Sequence, residues 1–281
     1  MPQRAASGSP PAEGKRASVT AGWTTCISTL AQALLDLLYP PRCPGCGRLG
    51  SLFCEHCLAL IEPIRPPVCQ RCGRPLDAGP AAQPGSECEA VGGRWAAGLC
   101  PTCWSTPSPL DGVTAVAVFA HPLRQAIHTF KYEDGRALAP VLGKLMVEAW
   151  HAGQLSADVI VPVPLHASRL AERGYNQSAL LAHVLGQGVG VVVRPELLVR
   201  QRATQPQVGL TAQERRQNVG GAFACRGQVA GQRVVLVDDV CTTGATLEAC
   251  ASALKEGGAA VVWGFTLARP RWDPTYAEAP G

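Results

Sequence analysis

The sequence of 281 residues lacks a long uninterrupted apolar run. Its most apolar stretch near the start, residues 23–39, is broken repeatedly by Thr, Ser, Gln and Asp, whereas a membrane-spanning helix needs about 20 predominantly apolar residues. Residues 1–20 lack the apolar centre of a signal peptide, and no small-residue cleavage pattern follows them. We therefore expect a cytoplasmic protein without membrane insertion.

The sequence also has little excess of charge of one sign. It contains 25 Lys and Arg against 21 Asp and Glu, a formal net charge of +4. A protein that coats nucleic acid carries a much larger basic excess, so any contact with nucleic acid must be local. Hydrophobic residues make up 47% of the chain, and 30 Gly with 24 Pro indicate many turns. This composition predicts a globular protein and excludes wholesale disorder.

Composition shifts along the chain predict five segments. Residues rich in Pro, Gly, Ser and Ala open the chain, an apolar repeat of helical spacing follows, and most of the thirteen cysteines come next. Apolar strands then alternate with helices, as in an α/β domain with a largely parallel sheet. The predicted segments are a flexible tail (1–22), an amphipathic helix (23–41), a cysteine-rich module (42–106) with a low-complexity insertion at 77–98, an α/β domain (107–270) and a C-terminal tail (271–281).

Hydrophobic periodicity predicts the elements of the α/β domain. The expected strands are Val113–Phe119, Asp158–Val163, Val189–Arg194, Arg233–Asp238 and Ala259–Leu267. The expected helices are Leu123–Tyr132, Ala137–His151, Ser168–Leu185 and Ala245–Glu256.

Four Cys-x-x-Cys pairs lie in the cysteine-rich module: Cys43/Cys46, Cys54/Cys57, Cys69/Cys72 and Cys100/Cys103. Two residues between the thiols let one turn direct both at a tetrahedral ion, and two pairs complete a site. Eight ligands predict up to two structural zinc ions, with redox chemistry as the alternative. Sequential pairing is favoured because Gly47 and Gly73 close a knuckle at the start of each set, while interleaved pairing stays open. Filled sites of this type are structural, and His56 is expected to face solvent.

The segment RVVLVDDVCTTGATL, residues 233–247, predicts a phosphate-binding loop. A buried strand ends in Asp238 and Asp239, and a short loop leads into a helix whose free N–H groups and dipole favour a phosphate. The residues expected to hold that phosphate are Thr242, Thr243, Gly244, Ala245 and Thr246. The two carboxylates are placed to accept hydrogen bonds from vicinal sugar hydroxyls. The loop therefore predicts a site for a ribose 5-phosphate.

VVLVDDVCTTGAT resembles the phosphoribosyl pyrophosphate (PRPP) motif of type I phosphoribosyltransferases, and the wider chain resembles the ComF family of competence proteins and GntX-like proteins. The resemblance extends through AIHTFKY (126–132), VPVPLHASRLAERGYNQS (161–178) and RRQNVGGAF (215–223). It implies a type I phosphoribosyltransferase-like parallel sheet flanked by helices, preceded by a small zinc-bound domain.

The resemblance assigns further residues to PRPP. Leu165 and His166 correspond in position to the pyrophosphate loop, although His166 can equally cap the turn. Arg169 and Arg173 share one helix face, which a solvated surface would also explain, and Asn176 and Gln177 offer donors and acceptors. The segment after Leu198 resembles the loop that closes over PRPP, so Arg200 and Arg202 are expected to contact pyrophosphate. Lys131 either reaches the site or lies on the surface.

A transferase of this type would use Mg²⁺ with PRPP, Asp238 or Asp239 to stabilise positive charge on the ribose, and Arg200 and Arg202 at the departing pyrophosphate. No base-recognition element is visible in the sequence, so the acceptor is unassigned. The leading hypothesis is a phosphoribosyltransferase linked to natural competence and DNA uptake. The alternatives are a non-catalytic PRPP sensor that binds single-stranded DNA and an adaptor for other competence proteins.

Overall fold

The computed structural model describes residues 40–76, 98–133, 135–202 and 212–271. The predicted tail at 1–22, almost all of the predicted helix at 23–41 and of the insertion at 77–98, and the C-terminal tail beyond residue 271 lie outside the described residues. In the part of the chain that is described, no helix is both long enough and apolar enough to cross a bilayer.

A four-stranded, wholly parallel sheet forms the centre of the fold, with strand order β1-β6-β5-β2. Its strands are β1 (Gly112–Val118), β2 (Val159–Pro162), β5 (Arg233–Val240) and β6 (Val261–Arg269). Val234 to Val237 in β5 are fully buried, because helices cover both faces of such a sheet and its strands are therefore continuously apolar. The predicted parallel sheet of an α/β domain is confirmed.

Helices pack on both faces of this sheet. In the α/β domain they are α3 (Leu123–Tyr132), α4 (Ala139–Gly153), α5 (Ala167–Arg173), α6 (Gln177–Val189), α7 (Ala212–Val219) and α8 (Ala245–Glu256). Trp150 of α4 packs edge-on against Phe265 of β6, whereas Leu247 and Leu254 of α8 belong to the core on the other face. The predicted helices Leu123–Tyr132 and Ala245–Glu256 have the observed bounds.

Two predicted elements were wrong. The expected helix Ser168–Leu185 is divided into α5 and α6, because Gly174 ends α5 with a φ of 78° and Asn176 caps α6 by accepting hydrogen bonds from the N–H groups of Ser178 and Ala179. The expected strand Val189–Arg194 is a single parallel bridge between Ile160 and Val193. Its apolar residues instead follow the end of α6 and pack against the core.

A small two-stranded sheet lies beside α8. The strands β3 (Leu198–Arg200) and β4 (Phe223–Cys225) pair antiparallel. Leu198 and Phe223 are buried in the same apolar cluster as Leu254 of α8. This packing brings the end of β3 close to the carboxyl end of β5.

The cysteine-rich module packs against the free edge of β1. It contains two short helices, α1 (Glu55–Ala59) and α2 (Pro101–Ser105). Residues 62–64 run beside β1: the Ile64 N–H donates to the Val116 carbonyl at 3.1 Å, and the Val118 N–H donates to the Glu62 carbonyl at 2.9 Å. The module therefore satisfies backbone groups that the terminal strand would otherwise expose.

Candidate functional site

Two adjacent carboxylates stand at the carboxyl end of β5, where ligands bind in open parallel sheets. Asp238 Oδ1 accepts a hydrogen bond from Ser178 Oγ at 2.8 Å and from the Asp239 N–H at 2.9 Å. Although its side chain is only partly exposed to solvent, two donors stabilise its charge. Burial, reinforced by the neighbouring Asp239 carboxylate, raises the pKa of Asp238 to about 7. A nearby cation or ligand hydroxyl would favour the ionised form.

Lys131 reaches this pair from the last turn of α3. Its Nζ lies 2.9 Å from Asp239 Oδ1, with side-chain exposures of 22% for Lys131 and 4% for Asp239. Burial acts to lower the pKa of Lys131, but the Asp239 carboxylate outweighs it and the pKa is raised. Asp239 Oδ2 is buried and has no hydrogen-bond partner within the described residues. The sequence did not decide whether Lys131 reaches the site or lies on the surface. In the structure Lys131 contacts the acid pair through Asp239.

The predicted phosphate loop connects β5 to α8. Gly244 has a φ of 83°, and an added Cβ there would meet no atom within 4 Å. The first N–H groups of an α-helix have no partner inside the helix, so the start of α8 can receive an anion. Thr243 Oγ1 accepts a weak hydrogen bond from the Ala245 N–H at 3.4 Å. The structure gathers Thr242, Thr243, Gly244, Ala245 and Thr246 into this single turn.

A second loop follows β2 and leads into α5. His166 caps α5: its Nδ1 lies 2.8 Å from Ser168 Oγ and accepts from the Ser168 N–H at 3.3 Å. In the described contacts His166 therefore acts as a helix cap, one of its two predicted roles. Leu165 is half-buried beside it. Asn176 Nδ2 donates to the Val163 carbonyl at 3.0 Å and holds this loop to the start of α6.

Arg200 is the last residue of β3. Its guanidinium lies 5.3 Å from the centre of the Phe223 ring. Burial lowers the pKa of Arg200, the charge of Arg169 lowers it further, and Asp238 acts in the opposite direction. Arg200 therefore lies within electrostatic range of both Arg169, which comes from α5, and Asp238. Like charges held together in this way favour an anion between them.

The other two predicted arginines are engaged elsewhere. Arg202 donates to the carbonyls of Asn218 and Gly220, at 3.0 and 2.9 Å, beyond the end of its loop. Arg173 donates to Gln177 Oε1 at 2.6 Å and lies 5.1 Å from the centre of the Tyr132 ring. The two arginines predicted on one helix face thus interact differently: Arg173 contacts Gln177 and Tyr132, whereas the charge of Arg169 acts on Arg200.

Sequence reasoning missed two supporting residues. Ser178, in the first turn of α6, holds Asp238, and the hydroxyl of buried Tyr175 donates to the Phe130 carbonyl in α3. Tyr175 thereby ties the start of α6 to the helix that carries Lys131. The segment RGYNQ (173–177) was expected to offer Asn176 and Gln177 to a ligand, and in the structure Asn176 holds Val163 and caps α6 while Gln177 accepts from Arg173. The sequence did contain a signal for the start of α6, because Asn is a preferred residue type at the N-cap of a helix.

The eight predicted zinc ligands form two clusters, Cys43/Cys46/Cys54/Cys57 and Cys69/Cys72/Cys100/Cys103, with all thiol sulfurs of a cluster within 4.8 Å of one another. This is the sequential pairing. Cys46 Sγ and Cys54 Sγ are 3.5 Å apart, and Cys72 Sγ and Cys100 Sγ are 3.8 Å apart. Tetrahedral zinc with Zn–S bonds of about 2.3 Å requires sulfurs about 3.8 Å apart.

The environment of each cluster also suits thiolates. The Cys54 N–H points to Cys43 Sγ at 3.4 Å, and the Cys100 N–H points to Cys69 Sγ at 3.2 Å. His56 is exposed and belongs to neither cluster. The residues therefore fit two structural zinc ions.

Comparison with known proteins agrees with both parts of the structure. The phosphoribosyl transferase domain family matches residues 131–272, and the double zinc ribbon domain family matches residues 34–91. DNA utilization protein YhgH of Escherichia coli strain K12 is 37% identical over 175 residues, which cover 60% of this chain and 77% of that protein. Competence protein F of Haemophilus influenzae is 33% identical over 178 residues, covering 60% of this chain and 78% of that protein.

The chain belongs to the competence protein F (ComF) family. Among solved structures, it is similar to a glutamine PRPP amidotransferase from Bacillus subtilis, at 25% identity and a TM-score of 0.34, over 47% of this chain and 26% of that enzyme. In this ComF-family chain the zinc ribbon match ends at residue 91, and the described structure completes the second cluster with Cys100 and Cys103. This chain therefore joins a zinc-binding module to a phosphoribosyltransferase-like domain.

Proposed function

We propose that this ComF-family protein binds PRPP and transfers its phosphoribosyl group to an acceptor. The observation that carries the proposal is the acid pair Asp238 and Asp239, held by Ser178 and Lys131 beside the start of α8. Carboxylates at this position accept hydrogen bonds from sugar hydroxyls, and the helix start binds the phosphate attached to the same sugar. One ligand, a ribose 5-phosphate, satisfies both.

The remaining anionic part of PRPP is assigned to the loop after β2 and the neighbouring arginines. Arg169 and Arg200 supply two positive charges within electrostatic range of each other, and Arg200 is also within range of Asp238. A pyrophosphate there would separate the two guanidinium groups and remove their mutual repulsion. Arg202 is bound instead to the carbonyls of Asn218 and Gly220. A contact between Arg202 and pyrophosphate remains a prediction from the sequence.

The residues also fit Mg²⁺ brought in with PRPP. Mg²⁺ prefers carboxylate and phosphate oxygens, and the buried Asp239 Oδ2 has no hydrogen-bond partner within the described residues. Asp238 and Asp239 would hold the ion together with ligand oxygens. When bound, Mg²⁺ supplies positive charge that stabilises pyrophosphate as it leaves.

In the proposed reaction the bond between ribose C1 and the pyrophosphate oxygen breaks with its electron pair leaving on oxygen. The acceptor forms a new bond to C1 and releases a proton. Asp238 and Asp239 orient the ribose and stabilise its positive charge, whereas Arg169 and Arg200 stabilise the departing pyrophosphate. Positioning and electrostatics carry the reaction, and no side chain forms a covalent bond to the ligand.

The test is calorimetric titration of the zinc-loaded protein with PRPP and Mg²⁺. We expect Asp238→Asn and Asp239→Asn each to weaken binding at least about tenfold, because each removes a charged hydrogen-bond acceptor. Asp158→Asn is the matched control, since Asp158 pairs with Arg233 on the surface at 2.9 Å. The absence of binding by the natural protein would refute the proposal. Pyrophosphate release in an acceptor screen then tests transfer.

A non-catalytic protein that binds single-stranded DNA is the second candidate. The favouring observation is Trp104, which is 81% exposed next to the zinc ligand Cys103. Exposed aromatic rings stack on bases of single strands. We expect Trp104→Ala to weaken DNA binding several-fold in a fluorescence anisotropy assay, while Asp238→Asn leaves it unchanged. No DNA binding by the natural protein would remove this candidate, and equal binding by Trp104→Ala would exclude Trp104 from the DNA contact.

A further inference from the structure

Arg269, the last residue of β6, is a buried cation that the proposed reaction does not use. Arg269 is only 6% exposed to solvent, and its guanidinium donates a hydrogen bond to the carbonyl of the zinc ligand Cys72. A buried charge is costly unless it has a polar partner. The turn between Cys69 and Cys72 supplies that partner.

The knuckle of the second zinc cluster is closely fitted to Arg269. Gly73 has a φ of 67°, and a Cβ at this position would lie 2.8 Å from Arg269 Nη1 and 2.9 Å from the Val113 carbonyl oxygen. The carbonyl of Gln70 in the same turn accepts a hydrogen bond from the Val113 N–H at 3.3 Å. Bound zinc fixes the path of this turn because it holds Cys69 and Cys72 on one ion. Zinc therefore determines where the Cys72 carbonyl stands.

The backbone next to Arg269 is hydrogen-bonded to the start of the predicted phosphate loop. The carbonyl of its neighbour Ala268 accepts a hydrogen bond from the N–H of Cys241, the first residue after β5, at 3.0 Å. The Arg269 carbonyl accepts from the Phe119 N–H at 2.6 Å, which fixes the end of β6. Burial raises the pKa of the Cys241 thiol, and the positive charge of Arg269 partly opposes that increase. The charge of Arg269 thus acts at the start of the loop.

We propose that Arg269 is a positioning residue that couples zinc in the second cluster to PRPP binding. Zinc orders the knuckle, the knuckle holds the Arg269 side chain, and the end of β6 then holds the loop that begins at Cys241. The inference rests on the proposed PRPP site. Coupling between two binding sites is reciprocal, so PRPP must strengthen zinc binding at the second cluster by the same factor by which that zinc strengthens PRPP binding.

The experiment measures the equilibrium affinity of the intact protein for zinc by competition with a chromogenic chelator, with and without PRPP and Mg²⁺. We expect PRPP to tighten the binding of one of the two zinc ions at least about fivefold, the lower end of typical coupling. Arg269→Gln should abolish this difference, and Arg269→Lys should restore part of it because an ammonium can still donate to the Cys72 carbonyl. Arg271→Gln is the matched control, since exposed Arg271 pairs with Glu62 at 2.5 Å and should leave the effect intact.

Calorimetry on the same samples separates the two proposals. If the natural protein does not bind PRPP, the proposed function fails, and the Arg269 connection is then tested by hydrogen exchange. In that measurement, amides of residues 241–246 should exchange faster in Cys100→Ser than in Cys43→Ser, which lacks a ligand of the first cluster. If the natural protein binds PRPP but its zinc affinity is unchanged by PRPP, or changes equally in Arg269→Gln, the coupling is refuted. Equal exchange in the two cysteine variants likewise refutes it.

Discussion

Removing the cation that faces Asp239 should have a large effect on stability. Lys131 Nζ and Asp239 Oδ1 are 2.9 Å apart, and the carboxylate side chain is only 4% exposed. At this distance and an effective dielectric constant of about 20, two unit charges attract by about 6 kcal/mol. The desolvation of both groups offsets much of that attraction, so the pair itself adds little net stability. Lys131→Met, however, leaves a buried carboxylate without its cation.

We expect Lys131→Met to lower the free energy of unfolding by about 2 to 4 kcal/mol, somewhat less than for a fully buried pair because Lys131 is 22% exposed. The double variant Lys131→Met/Asp239→Asn should recover most of the loss, since it removes both charges. The assay is urea denaturation of the four proteins of this double-mutant cycle at pH 7.5.

Lys144→Met is the control for loss of a lysine. Lys144 and Glu148 form an exposed pair at 3.8 Å on α4, with exposures of 76% and 60%, and such pairs contribute little. We expect a change of less than about 0.5 kcal/mol there. A loss below about 1 kcal/mol for Lys131→Met, or no recovery in the double variant, would show that the ion pair is not maintained in solution.

Three further predictions follow from the same region and from the zinc module. Because the folded-state pKa of Asp238 is raised from 3.8 to about 7, the native protein holds a proton there that the unfolded chain loses near pH 4. Stability should therefore fall between pH 5 and pH 8 by up to about 3 kcal/mol more in the natural protein than in Asp238→Asn, as measured by urea denaturation; equal pH dependence would contradict this. Gly244→Ala and Gly190→Ala place a side chain at φ values of 83° and 72°, both in open space, so each should cost about 1 to 2 kcal/mol, but only Gly244→Ala should weaken PRPP binding in calorimetry. Elemental analysis should find two zinc ions per chain in the natural protein and one in Cys43→Ser, whereas loss of both ions in that variant would mean that the two clusters are not independent.

Local patterns predicted the parts of this site that are contiguous in sequence. The strand ending in Asp238 and Asp239, the turn at Gly244 and the helix from Ala245 depend on apolar runs and short-range backbone preferences, which a single sequence displays. The four cysteine pairs are likewise local, since two residues between thiols suffice to form a knuckle.

The residues that complete the site come from distant parts of the chain, and local patterns do not specify such contacts. Lys131 meets Asp239 only because β1 and β5 lie in one sheet and α3 follows β1. Ser178 reaches Asp238 because Gly174 divides a helix that periodicity alone predicts as continuous. The spacing of Arg169 and Arg173 likewise could not show that Arg173 contacts Tyr132 and Gln177.

The segment at residues 62–64 has a consequence for how this protein can be divided. It pairs with β1 as a further strand would, with an isolated antiparallel bridge between Pro63 and Ala117. A phosphoribosyltransferase-like domain expressed alone from residue 107 would present an uncovered, apolar strand edge, a ready template for self-association. The zinc module thus serves as an intramolecular cover, and zinc supply during synthesis should govern how much of the whole protein escapes aggregation.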